Sequence, residues 1–492
     1  MYYISTRGGS EKKTSARVIK QGLAEDGGLF VPERIPTVSK DFIKKLAEED
    51  YAHRAADVLS LYLTDYTYDE LLSAATDAYK EESFGKYAAP VKSLDKTHKV
   101  LELWHGPTCA FKDMALQIMP RLLSTALKKT DENRTALILV ATSGDTGKAA
   151  LEGYKDVDGV KIMVFYPEDG VSDIQKLQMA SQEGENVNVC AIKGNFDDAQ
   201  TGVKQIFSDT NIAKELDEKG CFLSSANSIN WGRLAPQIVY YFSAYCDLMN
   251  AGDITLGDEI DVCVPTGNFG NIFAAYLAKR MGLPVRRFIC ASNVNNVLTD
   301  FINTGIYDRN RQFHTTISPS MDILISSNLE RLLWLIQGEE KTAECMKLLK
   351  ETGKYEVSAE VREKIASEFI GCFASDDETK QTIAETFEKH RYLIDTHTAV
   401  ALFAAKKNAA DIPVVTASTA SPYKFAADVL SALTGNRDNG DDFFRILREL
   451  NAKTGAAVPR PLAALENKTR RFTTSVGKSK DEMFAEVAKF AY

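Results

Sequence analysis

From residue 136 onward the chain alternates short, nearly continuous apolar runs with helix-length segments that place apolar residues every third or fourth position. ALILVAT (136–142) is followed by SGDTG and the helical KAALEGYK, KIMVFYP (161–167) by SDIQKLQMASQ, and NVNVCAIK by DDAQTGVKQIF. CFLSSAN (221–227) precedes a long helix through Tyr240 and Tyr241, DVCVPTG (261–267) leads into NIFAAYLAKRM, and VRRFICAS (285–292) into NNVLTDFI. Strands apolar on both faces and joined by helices predict an α/β fold with parallel sheets covered on either side. Residues 1–100 read as a mixed, mainly helical unit, with a turn bracketed by the two prolines of LFVPERIP (29–36) and a helix in YDELLSAATDAYKEE (68–82). Residues 328–408 read as almost wholly helical. A last strand, IPVVTAS (412–418), returns to the sheet, and after a polar linker around 436–442 the tail to Tyr492 reads as helical. No internal repeat or low-complexity tract interrupts this order.

Composition narrows the classes. With 492 residues, 44% hydrophobic and 26% charged, the chain can bury a large core and is not disordered. A net charge of −9 argues against a nucleic-acid surface, though an acidic protein can still hold one basic pocket for an anionic substrate. The eight cysteines form no CxxC pair and no Cys/His cluster with metal spacing, so no metal is expected and the thiols read as free in a reducing compartment. The N-terminal stretch is polar from residue 5 onward, and the most apolar run, 262–278, is interrupted by Thr266, Gly267, Asn268, Gly270 and Asn271. The expectation is a cytoplasmic protein without a membrane span.

Open α/β sheets bind ligands beyond the carboxyl ends of their strands. Four loops at such ends carry unusual residues: 105–113, 142–148, 266–271 and 416–424. TGNFGN (266–271) joins a strand to a helix; glycines there admit a bound group close to the helix amides, as a phosphate requires, although an ordinary capped turn fits the residues equally well. ATSGDTGKAA (141–150) has Gly147-Lys148 but Thr142 and Ala149 where a P-loop needs Gly and Ser/Thr; Ser143, Asp145 and Thr146 suit either an anion site or a helix cap. In HGPTCAFKDMALQ (105–117), Lys112 opens an apolar helix, where partial desolvation would depress its pKa as an imine-forming amine needs; a lysine in a helix N-turn is also common. TASTASPYKFA (416–426) supplies neutral hydroxyls at Thr416, Ser418, Thr419 and Ser421.

Taken in order, these segments resemble the threonine synthase family, pyridoxal phosphate (PLP) enzymes of the tryptophan-synthase-β-like group, fold type II. The resemblance runs from QGLAEDGGLFVPERIP (21–36) through HGPTCAFKDMALQ, LVATSGDTGKAA, NSINWGRLAPQIVYYF (227–242), VPTGNFGNIFAAYLAKRMGLP (264–284) and SPSMDI (318–323) to TASPYKF (419–425). It implies parallel and mixed sheets flanked by helices in two main domains. A small N-terminal domain would cover 1–100, and a catalytic region 101–492 would hold two α/β subdomains, a helical insertion near 328–408 and a helical tail. Lys112 would hold PLP as a Schiff base; Gly267, Asn268, Phe269, Gly270 and Asn271 would hold its phosphate, and Thr419 would face its pyridine nitrogen. Ser143, Asp145 and Thr146 would bind the substrate carboxylate near the cofactor O3′, and Thr108, Asn230 and Arg233 the substrate phosphate. Two positions depart from common family patterns: Asp145, where many relatives carry Asn, and Ser421, where bacterial relatives commonly have His.

The implied reaction converts O-phospho-L-homoserine and water to L-threonine and phosphate by β,γ-elimination and hydration, as the last step of threonine biosynthesis, with Lys112 as the Cα base. The partner is then a small molecule, with no nucleic acid and no membrane, and the chain is a monomer or a homodimer. Rival readings are a threonine or serine dehydratase of the same cofactor class, a P-loop phosphotransferase using GDTGK, and a non-catalytic relative.

Overall fold

The computed structural model describes residues 1–142, 144–168, 171, 173–436 and 442–492. Two sheets organise it. The larger runs Phe369–Phe373, Val285–Ser292, Ile260–Pro265, Val414–Ser418, His98–Glu102, Val91–Ser93, and every neighbouring pair is parallel except the last. The smaller, wholly parallel, runs Ser475–Val476, Val187–Ile192, Val160–Pro167, Thr135–Ala141, Cys221–Ser224. All six residues of Ile260–Pro265 are buried. This is why central strands lack polar alternation: helices cover both faces and neither meets water.

Strand order sets the site. Ile260–Pro265, Val414–Ser418 and His98–Glu102 are adjacent and parallel, so the loops after Pro265, Ser418 and Glu102 leave one edge of the sheet side by side. The loop after Ala141 leaves the corresponding edge of the smaller sheet. The long helix Pro236–Asn250 passes through the core with Tyr240, Tyr241 and Tyr245 all buried, so it carries no polar stripe.

In the N-terminal region, Tyr3–Ser5 pairs antiparallel with Phe30–Pro32, a strand that ends at the first of the two prolines, with a bend at 33–34 between them. The helices Lys40–Ala47, Tyr51–Ser60 and Tyr68–Ala78 each start on a side-chain cap, at Ser39, Asp50 and Thr67; the last forms a capping box with Glu70. This unit docks through Arg54, which donates to Ser243 and Asp247, and through Arg7, which forks onto both oxygens of Glu330.

The 328–408 stretch is not all helix. Leu329–Thr352, kinked at Gly338, and Thr396–Lys407 are helical, but Lys354–Glu356 pairs with Ile306–Asp308, and Phe369–Phe373 forms the edge of the larger sheet. In the tail, Ser475–Val476 adds a two-residue edge strand between the helices Phe443–Thr454 and Lys480–Ala491. The linker expected around 436–442 lies outside the described residues except at its two ends. No helix among the described residues is long and apolar enough to cross a membrane.

Candidate active site

Three of the loops meet at Lys112. The Phe111 amide donates to the Thr419 carbonyl (2.8 Å), the Ser421 amide to the Cys109 carbonyl (3.0 Å), and Ala110 bridges Ala420. Lys112 precedes the short helix Asp113–Leu116, and its side chain is 11% exposed. Burial pushes its amine down to about 8; Asp145, 4.0 Å away, opposes this, and Arg233 and Lys424 reinforce it. The result is an amine that can be neutral near physiological pH. Asp113 does not pair with it: its carboxyl accepts from the Thr108 amide (2.8 Å) and hydroxyl (2.7 Å), and burial raises it to about 7 against those bonds.

In the 266–271 loop, Phe269 adopts a left-handed φ of 61° and the helix Gly270–Met281 begins immediately after it. The first amides of a helix have no intrahelical acceptor, and the dipole there favours an anion. Asn271 adds Nδ2, a buried donor without a hydrogen-bond partner among the described residues, while Tyr241 donates to its Oδ1 and fixes the amide's orientation. Loop carbonyls are braced from behind: Ser326 donates to Gly267 O (2.7 Å) and Asn328 Nδ2 to Asn268 O (2.9 Å). A Cβ on Gly267 would lie 2.7 Å from Ser320 O, so only glycine fits that approach. An orphan donor beside a helix start suits a phosphate, and the nearby depressed amine suits an aldehyde. The residues present therefore fit pyridoxal phosphate.

Of the hydroxyls after Val414–Ser418, that of Ser418 accepts from Trp104 Nε1 and Thr398, and that of Ser421 accepts the Tyr423 amide. Thr416 is buried in the strand itself. Thr419 engages the protein through its carbonyl, leaving its hydroxyl without a partner among the described residues.

The loop after Ala141 departs from the sequence reading at Asp145, which neither caps the helix nor offers an anion a donor. Ser143 lies outside the described residues. Thr146 is half-buried at the start of helix Asp145–Tyr154. Asp145 is buried, and although burial opposes it, Lys424 and Lys112 hold its carboxyl well below the usual carboxylate range. Lys424 Nζ lies 2.8 Å from its Oδ1, and Gln175 Nε2 donates to the same oxygen at 3.0 Å. Lys148, the P-loop candidate, is turned onto Glu152 Oε2 (3.0 Å) and Gln182 of its surroundings, leaving nothing of a nucleotide cradle.

The expected substrate-phosphate set divides in two. Asn230 spends its whole side chain on backbone: Nδ2 donates to Ile19 O and Ser225 O, and Oδ1 accepts the Gly232 amide. Thr108 is likewise committed to Asp113, and its carbonyl to Lys424 (3.3 Å). Arg233 is different. It is buried, donates to Ala226 O (2.9 Å), and no carboxylate among the described residues pairs with it; burial lowers it to about 10. A buried guanidinium without a carboxylate partner, near enough to Lys112 to influence its charge, suits an anion.

Sequence reasoning missed Lys424 and Arg331. The first is visible in TASPYKF once Asp145 is recognised as a buried acid in need of a cation. Arg331 is fully buried within LERLL, where an arginine among core leucines is the signal. It donates to Phe30 O (3.0 Å), Ile229 O (2.6 Å) and the Asn328 side chain, and stacks on Trp231.

Three family models match: "Threonine synthase N terminus" over residues 2–79, "Pyridoxal-phosphate dependent enzyme" over 100–416, and "Threonine synthase, C-terminal" over 398–484. Human threonine synthase-like 1 is 42% identical over 452 residues, covering 88% of this chain but 60% of its own length, so the chain spans about three-fifths of that relative. Threonine synthase of Pseudomonas aeruginosa is 40% identical, covering 88% of this chain and 91% of its own. The crystal structure of PLP-bound threonine synthase from Brucella melitensis superposes with a TM-score of 0.89 at 35% identity, covering 100% of this chain and 99% of that one. The yeast threonine synthase structure gives 0.88 at 32% identity, with 99% and 98% covered.

Proposed function

We propose that this chain, which belongs to the threonine synthase family of pyridoxal-phosphate-dependent enzymes, converts O-phospho-L-homoserine and water to L-threonine and phosphate as the last step of threonine biosynthesis. The observation that carries the reading is Arg233: a buried guanidinium with no carboxylate partner among the described residues, close enough to Lys112 to shift it, marks a place for a substrate anion apart from the cofactor's own phosphate.

Gly267, Asn268, Phe269, Gly270 and Asn271 hold the cofactor phosphate, with Asn271 Nδ2 as a side-chain donor, and Thr419 turns its hydroxyl to the ring nitrogen. A neutral hydroxyl does not protonate that nitrogen. The cofactor, when bound, supplies delocalisation of the charge left at a substrate carbon that loses a proton. Lys112 moves the protons: its neutral amine takes the Cα proton and returns one there at the end of turnover. Arg233 binds the departing phosphate and stabilises its charge. Thr146 receives the substrate carboxylate at the start of helix Asp145–Tyr154, where the dipole favours an anion; the same role is proposed for Ser143. Asn230 and Thr108 act at one remove, holding the Arg233 loop and Asp113. Eight free, buried cysteines suit a reducing compartment such as the cytoplasm.

The test is direct. Purified protein given pyridoxal phosphate and O-phospho-L-homoserine should release threonine and phosphate in equal amounts. Release of ammonia and 2-oxobutyrate from threonine, without phosphate release from O-phosphohomoserine, would overturn the assignment in favour of a dehydratase.

A further inference from the structure

We propose that Lys424 is a positioning residue for Lys112: by holding the Asp145 carboxylate in a buried ion pair, it keeps that carboxylate from closing on the Lys112 amine. The inference rests on the reading of Lys112 as the cofactor lysine. Asp145 Oδ1 lies 2.8 Å from Lys424 Nζ, whereas Oδ2 lies 4.0 Å from Lys112 Nζ. The Lys424 side chain is 1% exposed and its ammonium is fixed by two further acceptors, Gln178 Oε1 (3.0 Å) and Thr108 O (3.3 Å), so it cannot swing to solvent and release its partner. Gln175 holds the same carboxylate from helix Asp173–Ala180.

The charged groups facing Lys112 are Asp145, Asp113, Arg233 and Lys424; those facing Asp145 are Lys424 and Lys112. Asp113 is occupied by Thr108. Among the described residues, Asp145 is therefore the carboxylate placed to lock Lys112 in its charged form, and the Lys424 ammonium is the device that diverts it. An amine locked as ammonium is neither a nucleophile toward an aldehyde nor a base. The same arrangement explains why an aspartate is tolerated beside an anionic substrate: Lys424 neutralises its charge.

Imine formation by the cofactor-free, full-length protein reads the neutral fraction of Lys112 without any turnover. Its rate against pH, followed by absorbance, gives a midpoint. In Lys424→Met this midpoint should rise by about one pH unit, as expected when an opposite charge is freed at such short range. Lys424→Arg should stay near the wild-type value. The double variant Asp145→Asn/Lys424→Met should differ from Asp145→Asn alone only by the direct repulsion between the two lysines, a clearly smaller shift than that of Lys424→Met. An unshifted Lys424→Met overturns the proposal, and so does a shift of equal size in the Asp145→Asn background, which would mean direct repulsion between the two lysines and no diversion of the carboxylate. If Lys424→Met fails to fold, Lys424→Gln, which retains a donor for Thr108, carries the same comparison. Borohydride trapping and peptide mapping separate the two levels: an adduct at Lys112 with an unshifted midpoint sinks this inference alone, whereas an adduct on another lysine sinks the site assignment as well.

Discussion

The Lys112 amine faces one carboxylate at 4.0 Å and two buried cations, Arg233 and Lys424, inside a pocket that excludes most water. A lysine whose folded pKa is about 8 and whose unfolded value is near 10.4 makes folding costly wherever both states are protonated. The sign follows: the cost is complete below pH 8, on the order of 3 kcal/mol, and is relieved as pH rises from 8 toward 10.4. Lys112→Met should therefore stabilise the cofactor-free protein at pH 7 and do so less at pH 10, in paired thermal melts. The same variant should lose the borohydride-trapped adduct and at least ~10³ in turnover. At Arg233 the prediction concerns binding: Arg233→Leu should raise KM for O-phosphohomoserine by about 30-fold or more, the minimum expected when a buried charged partner is truncated. Lys112, Thr419 and Arg233 could be proposed from the sequence only through the family resemblance, since taken alone each fits an ordinary helix start, turn or helix arginine as well. That Asn230 and Thr108 spend their hydrogen bonds on the fold could not, since an amide that caps a loop and one that binds a ligand have the same letter.

Elements were legible where burial is two-sided. The apolar strands announce themselves because both faces are covered: Ile260–Pro265 is wholly buried, Thr135–Ala141 is buried but for its two ends, and Val160–Pro167 but for Lys161 and Tyr166. Phe369–Phe373 was hidden for the opposite reason: five residues between two helices, partly exposed at a sheet edge, are a strand only through pairing with Val285–Ser292. Ser475–Val476 is shorter still. The phosphate loop is an intermediate case, its glycines visible but their separate duties not. Gly267→Ala would drive a Cβ to 2.7 Å from Ser320 O, whereas Gly270→Ala would meet only the Asn328 amide at 3.4 Å. Equilibrium titration with PLP should show the first variant weakened at least tenfold and the second changed by less than about threefold, since an ordinary contact costs little when the neighbour can yield.

Across the whole molecule, Arg331 is a buried cation that joins the N-terminal unit to the loops of the site. Arg331 reaches Phe30 O on one side and, on the other, both the Ile229 carbonyl of the Arg233 loop and Asn328, which braces the phosphate loop at Asn268. Arg331→Met strips three acceptors of their donor at about 1–3 kcal/mol each. It should lower Tm and weaken PLP affinity together, although Arg331 is not among the residues assigned to hold the cofactor; a fall in Tm with unchanged affinity would confine Arg331 to a purely structural role.

Because that guanidinium rests on Trp231, which in turn packs against the rings of Tyr3 and Tyr62, docking of the N-terminal unit and capture of the cofactor become linked equilibria. Whatever factor docking contributes to cofactor affinity, cofactor binding must return to docking. During synthesis residues 1–80 emerge before any of the loops they brace, so a cofactor-binding chain is one in which they have already docked on the segment around Trp231 and Arg331.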